Sequence, residues 1–135
     1  MIHSIAVKDY MVASLVTFKP NMNVMDAIDV LVKHRISGAP VIDDHGNLIG
    51  LLSEKDCMQV AIQAGYYEQL GGRVEDYMTK NVITIEADSS VLDLAKLFME
   101  QSPRRYPVVE DNRLVGQISR RDVLRAIMEM NKPAH

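Results

Sequence analysis

The sequence predicts a small α/β (α+β) fold made of two β-α-β-β-α repeats, related by a pseudo-twofold axis and packed sheet to sheet. Three observations carry this reading. First, residues 7–11, VKDYM, return as residues 74–78, VEDYM, and the segments behind the two copies repeat in the same order. Second, both copies carry a helical apolar period at matching places, with two strand-like runs around a polar turn behind it. Third, two copies are too few for an open solenoid, so the halves must close on each other to bury their apolar faces.

Laying Val7 on Val74 pairs Asp9 with Asp76, Tyr10 with Tyr77, Met11 with Met78, Thr17 with Thr84, Val24 with Val91 and Asp26 with Asp93. The register then holds through GAPVIDD (38–44) on RYPVVED (105–111). After a one-residue deletion in the turn, LIGLLSEKD (48–56) lies on LVGQISRRD (114–122). The expected boundaries are a first repeat at 7–65, a linker at 66–73 containing Gly71 and Gly72, and a second repeat at 74–131, together forming one compact tandem module.

Each copy opens with an extended segment, 15–18 and 82–85, rich in residues that suit a pleated surface. A helix comes after each. Asn23 and Ser90 stand at the N-cap, with Asp26 and Asp93 in the acidic first turn. Behind them come Val24, Ala27, Ile28, Leu31 and Val32, matched by Val91, Leu94, Ala95, Phe98 and Met99, at i, i+3, i+4, i+7 and i+8. Next comes a hairpin in each copy: strands 40–42 and 48–52 around the turn 43–47, then 107–109 and 114–118 around 110–113. A second helix begins near Ser53 and near Ser119; the former should end at Gly65 as a C′ residue and the latter near Met130.

At 135 residues the chain suits one compact domain that buries roughly two thirds of its unfolded surface. No apolar run approaches the ~18 residues of a membrane span, and MIHSIAVKDY lacks the form of a signal peptide, so a soluble cytoplasmic protein is expected. The single cysteine, Cys57, excludes an internal disulfide and fits a reducing compartment. A net charge of -3 argues against nucleic-acid binding, although Arg104, Arg105, Arg120, Arg121 and Arg125 make the second copy locally basic.

His3, His34, His45 and His135 have no mutual metal-ligand spacing and read as surface histidines. Cys57 falls on a helix face with Val60, Ala61 and Ala64 and reads as a packed thiol. With no Gly-rich P-loop and no nucleophile paired with a histidine and an acid, the chain reads as a non-enzyme without a catalytic cofactor. Met25, Met58, Met99, Met128 and Met130 fall on amphipathic helices, where flexible core filling is the default and a partner chain the alternative.

Chemistry is expected at SEKD (53–56) and SRRD (119–122). Serine at an N-cap with an acid three residues on is a capping box. Its setting, a glycine, a strand and then a helix N-terminus, also offers amide donors and a positive dipole end to an anion. The carboxylate can accept two hydrogen bonds from a vicinal diol such as a ribose. Phosphate at the amides and ribose at the carboxylate together describe a nucleotide.

The order of elements, the Pro-Val strand ending in acids and the Gly-x-x-Ser-x-x-Asp junction resemble the CBS domain, and the tandem pair covers essentially the whole chain. This resemblance implies two related nucleotide clefts. The first joins Leu51, Ser53, Lys55 and Asp56 to Val82, Ile83, Arg104, Arg105, Tyr106 and Pro107; the second joins Gln117, Ser119, Arg121 and Asp122 to Leu15, Val16, Ser37, Gly38, Ala39 and Pro40. Arg104 and Arg105 stand where the first copy has Ser37 and Gly38, so the first cleft has two candidate phosphate ligands, the alternative for the doublet being a solvated surface pair, and the second relies on Arg120 or Arg121. The resemblance further implies AMP, ADP or ATP as ligand, with S-adenosylmethionine as an alternative, a homodimer packed through helices into a flat disc, and an effector protein that responds to occupancy. The competing reading is a ligand-free interaction or dimerisation module whose serine and aspartate pairs only cap helices.

Overall fold

The computed structural model describes residues 5–67 and 71–132; His3, His135 and positions 68–70 of the expected linker lie outside them. The expected order of elements is observed in full only in the second copy, where the opening strand is confined to residues 85–86. In the first copy the segment 15–18 forms no strand and contributes a single bridge from Phe18 to Val41. Each copy is preceded by a short helical turn. The first copy has a 3-10 turn Val7–Asp9, helix α1 Val24–His34, strands β1 Gly38–Ile42 and β2 Leu48–Ser53, and helix α2 Glu54–Tyr67. The second has turn α3 Val74–Tyr77, strand β3 Ile85–Glu86, helix α4 Val91–Glu100, strands β4 Arg105–Glu110 and β5 Arg113–Ser119, and helix α5 Arg120–Met130.

The compact units do not coincide with the sequence copies. One unit takes residues 16–82; the other takes residues 5–15 together with 83–132. The leading turn of each copy therefore packs in the unit built by the body of the other copy.

In the unit 16–82, β1 and β2 form an antiparallel pair, and Phe18 adds a parallel bridge at Val41. The Asn23 side chain caps α1 by accepting from the Met25 amide at 2.8 Å. Its core gathers Phe18, Val24, Ala27, Leu31, Ala39, Val41, Leu52, Cys57, Val60 and the incoming Val74. In the other unit β3, β4 and β5 form one sheet, with β3 parallel to β4. Ser90 caps α4 through the Asp93 amide at 3.1 Å. Here the core holds Val7, Ile85, Ala87, Val91, Leu94, Phe98, Tyr106, Val108, Ile118, Val123 and Ala126. The deletion between the copies lies in the hairpin turn. Asp111 and Asn112, at φ 51° and 65°, make the tight two-residue connection, whereas the longer first turn places Gly46 at φ 84° and is held by Asp43 accepting from the His45 and Asn47 amides.

Each leading turn is tied in by the same backbone scheme. The amide of Val74 donates to the Met22 carbonyl and that of Val24 to Gly72, both at 2.9 Å; Val7 donates to Ser89 and Val91 to Ile5, both at 2.8 Å. Past the turn, the chain crosses a hairpin strand. Thr79 and Leu51 exchange two backbone hydrogen bonds, as do Val12 and Gln117. The crossing is possible because the strand residue beneath is glycine: a Cβ on Gly50 would stand 2.6 Å from Met78 Sδ and 3.0 Å from the Thr79 carbonyl, and one on Gly116 2.6 Å from Met11 Sδ and 2.9 Å from the Val12 carbonyl.

Three further expectations need correction. Val32 and Met99 are 70% and 88% exposed. At about 100° per residue the i+8 position lies some 80° around the helix from the first valine, beyond the arc that Ala27, Ile28 and Leu31 present to the core. Helix α2 does not stop at Gly65 but continues to Tyr67, and Gly72 rather than Gly65 has the positive φ, 121°. Of the five helical methionines, Met25 alone packs against a core; Met58, Met99, Met128 and Met130 are exposed, because each helix has one covered face and they lie off it. No helix among the described residues is long and apolar enough to cross a membrane.

Gly116→Ala and Gly50→Ala should each destabilise the chain by about 1–3 kcal/mol through overpacking against backbone that cannot move aside. Gly65→Ala, with open space around the new methyl inside a helix, should instead stabilise it by ~0.5–1 kcal/mol. Urea midpoints of the three variants at unchanged m-value check both signs.

Candidate functional site

Ser53 closes β2 and its successor opens α2, so the serine stands where a strand hands over to a helix N-terminus. The Ser53 amide donates to Asp56 Oδ2 at 2.9 Å, and the Asp56 amide donates to Ser53 Oγ at 3.1 Å. The second copy repeats the arrangement. The Ser119 amide donates to Asp122 Oδ2 at 2.8 Å, the Ser119 hydroxyl reaches the same oxygen at 3.0 Å, and the Asp122 amide donates to Ser119 Oγ at 3.3 Å. The capping box is thus present in both copies. The helix ends are also less open than the sequence suggests, because the Glu54 amide donates to the Ser37 carbonyl at 2.8 Å and the Arg120 amide to Arg104 at 3.2 Å. Two amides of each first turn are already engaged by the protein.

The copies diverge at the other carboxylate oxygen. Asp56 Oδ1 accepts from the Thr79 hydroxyl at 3.1 Å, and the residue is half-buried. Asp122 Oδ1 accepts from Arg125 Nη2 at 3.0 Å, with its side chain only 12% exposed. The same Arg125 nitrogen donates to the Tyr10 carbonyl at 3.0 Å, and the guanidinium lies 5.6 Å from the Tyr10 ring centroid. The Tyr10 hydroxyl donates to Glu129, which pushes the phenol pKa up. The hydroxyl of Tyr77, the equivalent of Tyr10, has two acceptors for its one proton, Gln63 Oε1 at 2.7 Å and the Gly71 carbonyl at 2.9 Å.

The residues expected from the sequence fall in both units. In the unit 16–82, Val16, Gly38, Leu51, Ser53, Asp56 and Val82 are half-buried, Ser37 and Lys55 are exposed, and Ala39 and Pro40 are buried. In the other, Leu15, Gln117 and Ser119 are half-buried, Asp122 is buried, and Ile83, Arg104, Arg105, Arg120 and Arg121 are exposed, while Tyr106 and Pro107 are buried. Of the four buried positions, Ala39 and Tyr106 belong to the two cores. Tyr106 packs on Phe98 with centroids 4.9 Å apart, and its hydroxyl is buried without a hydrogen-bond partner. Burial pushes the Tyr106 phenol pKa up, with Arg120 opposing.

Thr79, Arg125 and Tyr10 were not among the expected site residues. A signal for them existed in the repeat itself: Thr79 aligns with Val12 and Arg125 with Gln59, two departures from symmetry beside otherwise matched motifs. Cys57 is buried as expected, and burial pushes its thiol pKa up. His34 and His45 are exposed, and the described residues contain no cluster of three or more histidine, cysteine or carboxylate side chains able to hold a metal.

The sequence profile of the CBS domain matches residues 7–62 and again 74–129. The chloroplastic CBS domain-containing protein CBSX1 of Arabidopsis thaliana is 31% identical over 140 residues, covering 84% of this chain and 59% of that protein. The crystal structure of CBSX2, also from Arabidopsis thaliana, in complex with AMP superimposes with a TM-score of 0.81 at 32% identity, covering 95% of this chain and 99% of that one. The CBS domain pair of protein MJ0100, in complex with 5-methylthioadenosine and S-adenosyl-L-methionine, gives 0.71 at 30% identity, covering 93% and 98%. The chain spans less than two thirds of the first curated relatives it matches, 42% of an uncharacterized Methanocaldococcus jannaschii protein and 59% of CBSX1.

Removing the two carboxylates should have unequal effects on stability. Each of Asp56→Ala and Asp122→Ala loses its part of a capping box, about 0.5–2 kcal/mol. Asp122→Ala also removes the carboxylate partner of Arg125 and should be the more destabilising by about 1 kcal/mol. Ligand-free urea unfolding of the two variants checks the order.

Proposed function

The chain belongs to the CBS-domain family as a tandem pair, and from that premise we propose that it binds an adenine nucleotide and passes its occupancy to a partner protein. The observation that carries this reading is Asp56. Its Oδ2 is held in place by the Ser53 amide, while its Oδ1 meets only the rotatable Thr79 hydroxyl. A carboxylate so held keeps acceptor capacity for a ribose hydroxyl and needs no reorganisation to present it. Lys55, exposed in the first turn of α2, supplies a cation beside the dipole end of the helix.

AMP, ADP and ATP are the leading ligands, and S-adenosylmethionine is the alternative. The AMP complex of CBSX2 and the methylthioadenosine and S-adenosylmethionine complex of MJ0100 support a ligand with an adenosine core. The role is regulatory rather than catalytic, exerted in the cytoplasm, where the buried thiol of Cys57 stays reduced. Self-association fits the surface: Met58 and Ile62 on α2, 57% and 51% exposed, stand at the same repeat positions as Leu124 and Met128 on α5, 61% and 64% exposed. Two matched apolar helix faces suit an isologous homodimer. A second reading is a ligand-free interaction module, in which the serine–aspartate pairs serve as helix caps.

Thermal unfolding against a nucleotide panel decides between them. A true ligand at ~100 times its Kd should add about 2.7 kcal/mol of stability in the native chain. Asp56→Ala should lose most of that gain. No shift with any adenine compound would leave the interaction module, and turnover of a nucleotide would contradict the regulatory role.

A homodimer should sediment at twice the chain mass at protein concentrations on the order of tens of micromolar. Met58→Glu with Leu124→Glu should shift it to monomer without lowering the monomer's own unfolding midpoint. A chain that sediments as monomer before mutation removes the dimer.

A further inference from the structure

The two aspartates share a capping geometry, yet their second oxygens meet different partners, and the repeat alignment locates the difference in two positions. Thr79 stands where the other copy has Val12, and Gln59 where it has Arg125. Asp56 therefore meets a hydroxyl and Asp122 a guanidinium. Arg125 Nη2 bridges Asp122 Oδ1 and the Tyr10 carbonyl, both at 3.0 Å, and the guanidinium also faces the Tyr10 ring. Its own side chain is 51% exposed, against 12% for Asp122.

We propose that Arg125 is a latch that withholds Asp122 from a ribose, and so determines that Asp56 is the primary nucleotide carboxylate of the pair. The proposal rests on reading the two aspartates as ribose acceptors. A diol needs open acceptor directions. Asp122 Oδ2 is taken by the Ser119 amide and hydroxyl, and the approach to Oδ1 is covered by the cation. A ligand reaches Asp122 only when Arg125 swings out, and an arginine half exposed to water can do so without disturbing the core.

That movement has a second consequence. When Arg125 leaves, it releases the Tyr10 carbonyl and ring together, while Val7 stays anchored in the core. Occupancy of Asp122 is thus coupled to the order of residues 10–12. Occupancy of Asp56 is not, because it displaces only the Thr79 hydroxyl, which can rotate toward a ligand without releasing a backbone group, whereas Arg125 takes its bond to the Tyr10 carbonyl with it. The backbone pairs of Thr79 with Leu51 and of Val12 with Gln117 are alike in the two copies. Arg125 is a positioning residue: it acts on the carboxylate, not on the nucleotide.

Calorimetric titration of adenosine and AMP into Asp56→Ala and Asp56→Ala/Arg125→Gln isolates the effect at Asp122; the glutamine copies Gln59 of the other repeat. Affinity should rise about tenfold on removing the latch, with the unfolding midpoint unchanged or lower, a pairing that structural damage does not produce. Gln59→Arg in an Asp122→Ala background should weaken binding at Asp56 by a similar factor, which tests the idea without touching Arg125. In the ligand-free chain, Arg125→Gln alone should speed amide exchange at residues 10–12. Equal or weaker binding in Asp56→Ala/Arg125→Gln, while Asp122→Ala still binds, overturns the latch and leaves the nucleotide reading standing. Unchanged exchange at residues 10–12 overturns the coupling to Tyr10. Absence of binding in the unmutated chain and in every variant overturns the nucleotide reading and the latch with it.

Discussion

The structure depends on two places where a Cβ is missing. Gly50 and Gly116 let Met78 and Met11, with the backbone behind them, lie directly on a hairpin strand. Only at that distance can Thr79 pair with Leu51 and Val12 with Gln117. These pairings bring each leading segment to the flank of a capping aspartate, and they seat Val74 and Val7 at zero exposure in the two cores. Each core takes a valine from the lead of the other sequence copy, so neither is complete until both copies have been supplied. Contacts of such sequence separation, Val7 with Ser89 and Val91 with Ile5, close long loops and are expected to form late in folding.

The capping box and a ligand site are not competing descriptions of the same carboxylate. Each aspartate uses Oδ2 for the helix and has Oδ1 directed elsewhere. Capping fixes the side-chain rotamer, and a fixed carboxylate loses less entropy when it accepts a further hydrogen bond. The copies differ in the group on the second oxygen. A neutral hydroxyl can donate to Asp56 or turn away at little expense, whereas a cation at 3.0 Å makes a charge-assisted bond with Asp122 that a ligand has to displace.

Repeat symmetry also organises the surface. Met58 and Ile62, exposed on α2, occupy positions equivalent to Leu124 and Met128, exposed on α5, and so do Val32 and Met99 on α1 and α4. A helix packed in a small unit has one covered face, so an apolar stripe wider than that face leaves its edge in water. Methionine at such an edge stays compatible with more than one partner surface because its side chain is unbranched and polarizable.

The order of elements apart from the opening strand of the first copy, the Asn23 and Ser90 caps, both hairpins and the serine-aspartate boxes were legible in the sequence. All rest on local rules: the period of apolar residues, the acceptor at an N-cap, and turn residues between short apolar runs. Local rules did not show that residues 7–15 complete the unit of the second copy, because exchanging the leads leaves every local signal in the same order. Nor did they show that Gly65 stays helical, that Val32 and Met99 face water, or that Asp122 is tied to Arg125 and Asp56 to Thr79. Those outcomes were decided by which surfaces meet in the folded chain. Tyr10 and Arg125 are over a hundred positions apart, and only the tertiary structure puts a guanidinium between Tyr10 and Asp122.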